Sequence, residues 1–271
     1  MHDAYAFISE IEIKGEKMEI FLYSIIFITG CFFGSFFTLA VYRIPKKEDI
    51  LIKHSYCPNC NHKLGFLDLF PIFSYIFLRG KCRYCKNKIR PRYFLLELLS
   101  GITFVLLALS YKVNIFNINI ISLFFSYIYI AILFIVAGID KENINIEKGP
   151  LIVGFAFEVL YIIYQCALNN IDVYKYVIYL VFLCIILILR IITLKRKMKE
   201  KYYIQILLLT LYIIIFSGSK IFILSAILTL LSIAFYKIGK SKNERIPIGF
   251  FLSVCNILVI IITNFICNYI M

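Results

Sequence analysis

Four cysteines fall into two C-x-x-C pairs, Cys57-Pro58-Asn59-Cys60 and Cys82-Arg83-Tyr84-Cys85, with 21 residues between them. Two such pairs suit a tetrahedral zinc ion: each pair grips one edge of the tetrahedron, and together they close the shell without leaving a position for water. A metal held this way organises a loop and performs no catalysis. Lys81, Arg83 and Lys86 stand beside the second pair and favour the thiolate form that binds metal. The competing reading is a redox pair or idle thiols, but the surrounding residues do not resemble the βαβ unit that carries a redox C-x-x-C. His54 and His62 flank the first pair and read as bystanders. The other five cysteines, Cys31, Cys166, Cys184, Cys255 and Cys267, lie in apolar stretches where small buried thiols are ordinary.

Carboxylates are scarce. The chain has five aspartates, and one of them, Asp140, closes an uncharged apolar run that begins at Ile118. Its plain reading is an interfacial residue that ends a helix. Glu158 stands in the middle of another apolar run; it is either a functional intramembrane acid or a group that hydrogen-bonds within a helix bundle. Glu200 is the one carboxylate of Lys199-Glu200-Lys201-Tyr202-Tyr203-Ile204-Gln205, and the lysines at 197, 199 and 201 favour its ionised form. Glu97 is expected to support the basic loop before it, against Arg90 or Arg92, and Asp68 to cap a helix over Leu69 to Leu78.

The elements that must hold these groups are membrane helices. With 62% hydrophobic residues and 17% charged, the chain has too little polar surface for a soluble globule. Apolar runs of spanning length cover Ile20 to Tyr42, Phe94 to Tyr111, Ile118 to Ile139, Gly149 to Ala167, Tyr176 to Leu194 and Ile246 to Met271. A longer run, Tyr203 to Tyr236, is interrupted by Ser217-Gly218-Ser219-Lys220 and reads as a hairpin of two short helices, its first half short enough for a re-entrant segment. The expected fold is therefore an all-α polytopic membrane protein of about eight transmembrane helices with a small cytoplasmic zinc-binding loop domain. Its parts are an external extension (1–17), a first span (18–42), the four-cysteine domain (43–93) and a helical membrane domain (94–271). Gly30 and Gly34, four residues apart, would let another helix approach the first span.

Alternating the loops across the bilayer gathers 43–92, 140–149, 190–202 and 237–245 on one side, with every Lys and Arg except Lys14, Lys17, Lys112, Lys175 and Lys220. That side is expected to be cytoplasmic and both termini external. Basic loops beside an anionic leaflet account for the net charge of +13 without nucleic acid as a partner. No signal-peptide core precedes Met18, which is the expected start of translation, and the first span lacks a small-residue cleavage site.

Several stretches carry a family resemblance. "GSFFTLAVYRIP" (34–45), "CPNCNHKLGFLDLFPIFSYIFLRGKCRYCKNKIRPRYFLLELLSG" (57–101) and, near the end, "RIPIGFFL" (245–252) resemble the type IV prepilin peptidases, or leader peptidases. The resemblance implies a bacterial membrane aspartic endopeptidase that cuts basic leaders from prepilins and pseudopilins at the cytoplasmic face. It also implies a second activity, methylation of the new amino terminus with S-adenosylmethionine. Catalysis in that family needs two aspartates, one after an apolar span and one in a Gly-x-Gly-Asp segment; two carboxyls held close share one proton, so one activates water while the other donates. "AGID" at 137–140 matches the first and gives Asp140 its implied role.

No Gly-x-Gly-Asp occurs in this chain. Two segments compete for its place: "FSGSK" (216–220), which the expected topology puts on the external side, and 199–205, which it puts with Asp140 and which offers Glu200. Three functions follow as alternatives: a divergent peptidase using Asp140 with an unorthodox partner, an inactive relative that binds leaders or assembly partners, and a protein retaining methyl transfer alone.

Overall fold

The computed structural model describes residues 2–50, 54–112, 120–168, 173–192, 198–238 and 245–269. These are helical almost throughout: α1 (His2–Arg43), a 3-10 turn (Phe66–Asp68), α2 (Phe73–Phe77), α3 (Arg92–Ser110), α4 (Ile120–Asn143), α5 (Lys148–Ala167), α6 (Val173–Ile192), α7 (Met198–Ile238) and α8 (Ile248–Tyr269). The all-α expectation holds. Six of the described helices are long and apolar enough to cross a membrane: Lys17–Arg43 within α1, then α3, α4, α5, Lys201–Ile238 within α7, and α8. Two compact units form, Met1–Thr38 with Leu51–Leu123, and Leu39–Ile50 with Phe124–Met271.

In the first unit α1 and α3 meet through small residues. A Cβ on Gly30 would stand 2.9 Å from the Cα of Gly101, and one on Gly34 would stand 2.7 Å from the Cα of Glu97. Backbone therefore lies against backbone, the approach that the Gly30 and Gly34 spacing allows. The rings of Phe33 and Phe104 stack beside this seam, 5.7 Å apart.

The region after the first cysteine pair is not the helix over Leu69 to Leu78 expected from sequence. Pro71 supplies no N–H there, and Ile72 adopts a positive φ of 63°, a conformation that a β-branched residue rarely takes. Only the five residues of α2 wind into a helix beyond it.

In the second unit α7 folds back on itself. Gly218, with φ 80° and ψ 162°, breaks the helical path. Tyr202, before the break, and Tyr236, after it, both reach the first turn of α8: the Tyr202 hydroxyl accepts the Ile248 N–H at 3.0 Å, and the Tyr236 ring lies 5.1 Å from that of Phe251. An unbroken helix would separate residues 202 and 236 by about 50 Å, so the two halves run antiparallel. The hairpin read from Ser217 to Lys220 is thus present, with glycine at the one position that needs a left-handed φ.

Mid-helix polar groups knit this unit together. The Tyr129 hydroxyl donates to the Asn256 side-chain oxygen at 2.7 Å, and the Asn256 amide donates to Ser225 Oγ at 3.3 Å. Tyr129 also stacks on Phe216, 4.0 Å between centroids, and on Tyr212 at 5.1 Å. Glu158 is buried, and neither of its carboxyl oxygens has a hydrogen-bond partner. The hydrogen bond within the bundle, one of its two expected roles, does not form among the described residues.

Candidate functional site

Asp140 lies in the last turns of α4 and is fully buried. Gly138, just before it, admits the side chain of Val41, whose Cγ2 would be 2.4 Å from an added Cβ. The chain then turns through Ile144 and Ile146 into α5, and the buried Ile146 side chain closes the floor beneath the carboxylate. From the other direction α8 begins immediately after Ile246-Pro247, proline being suited to a helix start because it has no N–H to leave unpaired. The Phe250 N–H donates to Asp140 Oδ2 at 2.9 Å. Gly249 makes that approach possible, since a Cβ there would stand 2.8 Å from Ile146 Cδ1 and 3.1 Å from Asp140 Oδ2.

The third wall is α7. The Tyr202 hydroxyl donates to Asp140 Oδ2 at 3.1 Å while it accepts the Ile248 N–H. The same oxygen thus takes a bond from the positive end of a helix and one from a phenol, the donors that a buried carboxylate requires. Among the described residues Asp140 Oδ1 has no hydrogen-bond partner. It is the oxygen left for a water or a substrate group.

Sequence reasoning places Asp140 at a membrane boundary but does not single out Tyr202. Its signal was its neighbourhood: it lies in the 199–205 segment, one of the two candidates to face Asp140. The other candidate, around Ser219, lies 17 residues further along α7 and beyond the break, about 25 Å up the helix from Tyr202. Glu200 stands in the first turn of α7; its side chain falls outside the described residues.

The four-cysteine segment is built twice from one pattern. In the first knuckle the Cys57 N–H donates to the His62 carbonyl and the Asn61 N–H to the Cys57 carbonyl; in the second the Cys82 N–H donates to the Asn87 carbonyl and the Lys86 N–H to the Cys82 carbonyl. Asn61 and Lys86 both take left-handed φ, 56° and 58°. Isolated bridges, Tyr56 with Lys63 and Lys81 with Lys88, close the two loops. The result brings Cys57, Cys60, Cys82 and Cys85 together, with all four Sγ atoms within 4.8 Å of one another and Cys57 to Cys85 at 3.9 Å. A tetrahedral zinc with bonds of about 2.3 Å holds its sulfurs about 3.8 Å apart, so the cluster is able to hold such a metal. The Asn87 N–H and the Asn59 amide lower the Cys85 thiol below its usual value, while its cluster neighbour Cys60, despite the backbone bond from His62, is raised by burial and by hydrogen bonds with Cys57 and Cys85.

Two acids near this cluster have partners that the sequence did not point to. Asp68 caps no helix over Leu69 to Leu78. It accepts the Gly65 N–H at 3.1 Å, Arg83 Nε at 2.5 Å and the Tyr84 hydroxyl at 3.2 Å, and so ties the linker to the second knuckle. Burial pushes its carboxyl up, but Arg83 and the Gly65 N–H outweigh that and hold it below the usual carboxylate range. Glu97, expected against Arg90 or Arg92, accepts the Ile72 N–H at 2.7 Å. His62 stacks on Tyr84, 3.5 Å between ring centres.

Residues 28–111 match the Bacterial Peptidase A24 N-terminal domain family. The chain is 31% identical over 132 residues to a "Prepilin leader peptidase/N-methyltransferase" of Klebsiella pneumoniae, 39% over 87 residues to that of Vibrio cholerae and 34% over 129 residues to that of Bacillus subtilis. Over these stretches the chain is similar to proteins named prepilin leader peptidases. These matches take in 46%, 29% and 48% of it and span 55%, 34% and 50% of the three relatives. No solved structure matches the chain.

Proposed function

We propose that this protein works on the leaders of type IV prepilins or pseudopilins at the cytoplasmic face of a bacterial membrane. In this reading both termini are external, and the halves of α7 together with α6 bring the spans to about eight. Asp140 activates the water that attacks the scissile carbonyl, and the first turn of α7, with Glu200, is the source of the second acid. Methylation, which the relatives' name suggests, is the companion activity, and the family resemblance supplies S-adenosylmethionine as its donor.

The observation that carries the reading is the asymmetry of Asp140: Oδ2 is held by the start of α8 and by Tyr202, and Oδ1, equally buried, is left for the reaction. A fixed carboxylate with one committed and one free oxygen is the base half of an aspartic site. The test is co-expression with a prepilin in a host lacking other leader peptidases, followed by mass spectrometry of the pilin. Removal of the leader is expected; a pilin that keeps its full leader overturns the assignment of cleavage.

A second reading, leader binding without cleavage, is favoured by one contact. The Tyr202 hydroxyl occupies the side of Asp140 where a partner carboxyl would share a proton. It predicts that a prepilin with a photo-reactive residue in its leader crosslinks to the protein and remains uncut.

We also propose zinc as the occupant of the four-cysteine cluster, in a structural role. Purified protein is expected to hold one zinc per chain. Changing Cys57, Cys60, Cys82 or Cys85 to Ser should lower both metal content and yield, because the knuckles bury little apolar surface and metal binding supplies their folding free energy. Well-folded protein without zinc in elemental analysis would refute it.

A further inference from the structure

The segment between the knuckles presents an apolar face that none of the described residues covers. Phe66, Leu67, Phe73, Ile76 and Phe77 are 73%, 70%, 53%, 58% and 80% exposed. Five large apolar side chains in twelve residues form the kind of patch that marks an interaction surface.

Three contacts fix where this face lies relative to the spans of its own unit. The Ile72 N–H donates to the Glu97 carboxylate. Glu97 is the sixth residue of α3, about 7.5 Å along its axis from Arg92. The Tyr75 ring stacks on Phe94 of the same helix, 5.2 Å between centroids. Phe70 packs edge-on against Phe32, at 5.5 Å, and Phe32 is near the middle of the spanning stretch Lys17–Arg43. The segment therefore lies alongside the apolar lengths of α1 and α3, several ångströms along α3 from its basic end.

The backbone is equipped for that position. Asp68 and Leu69 donate to Gly65 and Phe66, Phe73 to Pro71, Ser74 to Phe70, Ile76 to Ile72 and Leu78 to Ser74, while Ile72 uses Glu97 and Pro71 has no N–H. Donors that would be costly in hydrocarbon are thereby paired. Charge is arranged to match: Arg79, Lys81, Lys88 and Arg90, all exposed, follow the apolar face directly in the chain. Aromatic and aliphatic side chains beside a basic fringe are the composition of an element that lies in the interface of an anionic leaflet.

We infer that residues 66–77 are a membrane-inserted wedge: the four-cysteine segment rests on the bilayer, with Phe66, Leu67, Phe73, Ile76 and Phe77 among the acyl chains and the basic residues at anionic headgroups. Glu97 is the clamp that sets its depth, through the N–H of the strained Ile72. The inference rests on the membrane reading of α1 and α3 and is independent of whether Asp140 cleaves anything.

The chain contains no tryptophan, which makes the test direct. Phe66→Trp and Phe77→Trp, made separately in the full chain, are reconstituted in vesicles of phosphatidylcholine and phosphatidylglycerol, with or without bromine on the acyl chains. Tyr84→Trp on the second knuckle and Phe124→Trp on the exposed flank of α4 serve as references. Tryptophan at 66 and 77 is expected to be quenched by brominated lipid as strongly as at 124 and to be protected from aqueous acrylamide, while tryptophan at 84 shows the reverse. If positions 66 and 77 behave like 84, the wedge is refuted and the face belongs to a protein partner, such as the apolar segment of a prepilin. Two positions are used so that a misfolded variant at one leaves the other to decide.

Discussion

Prepilin co-expressed with the Asp140→Asn variant is expected to keep its leader, with processing reduced by a factor on the order of 10²–10⁴ from that of the parent chain. The amide occupies the same space and can still accept the Phe250 N–H and the Tyr202 hydroxyl through its oxygen, so the junction of α4, α7 and α8 should survive. What changes is the other atom. Oδ1, the buried oxygen without a partner among the described residues, becomes an NH₂ group that cannot take a proton from water. Unchanged thermal unfolding with lost cleavage is the outcome that assigns Asp140 to chemistry. Parent-level cleavage by the variant would remove Asp140 from the reaction altogether.

The second large effect is a gain. Tyr202→Asp, combined with Lys199→Gly and Lys201→Gly, should raise leader cleavage by roughly the same 10²–10⁴-fold that a positioned acid contributes. Tyr202 already delivers a hydroxyl to 3.1 Å from Asp140 Oδ2. An aspartate reaches less far, and the two glycines let the backbone come closer to compensate. Two carboxyls so placed would share one proton, the arrangement that lets one act as base and the other as acid. Ser219→Asp should do nothing, because about 25 Å of helix separates it from Tyr202. Cleavage gained from Ser219→Asp alone would sink this placement of the second acid, and Asp140→Asn in the triple variant should abolish the gain.

Features carried by local chemistry were legible in the sequence. Two C-x-x-C pairs announce a four-thiol cluster able to hold a metal, because the spacing suits tetrahedral coordination. Ser217 to Lys220 announces a hairpin because glycine tolerates the left-handed φ that the reversal needs. Gly30 and Gly34 point to a close helix approach, and α3 supplies it at Gly101 and Glu97. Features carried by tertiary closure were not. Tyr202 meets Asp140 across 62 residues of sequence, and nothing in Lys-Tyr-Tyr-Ile distinguishes it from Tyr203, which is exposed. Glu97 looked like a partner for arginine because charge suggests charge, and nothing in the sequence showed that it would also take the N–H of Ile72. The expected helix over Leu69 to Leu78 ignored Pro71, whose ring disfavours the helical conformation in the residue before it.

The carboxylate at 140 depends on groups that leave the ribosome far apart in time. Its donors sit at 202 and 250, so more than a hundred further residues must be synthesised and inserted before the last of them arrives. A nascent chain that has placed only its first four long helices therefore holds a bare acid with no defined geometry. The hydrogen-bonded geometry around this carboxylate exists only once α8 has been made and packed against α4 and α7.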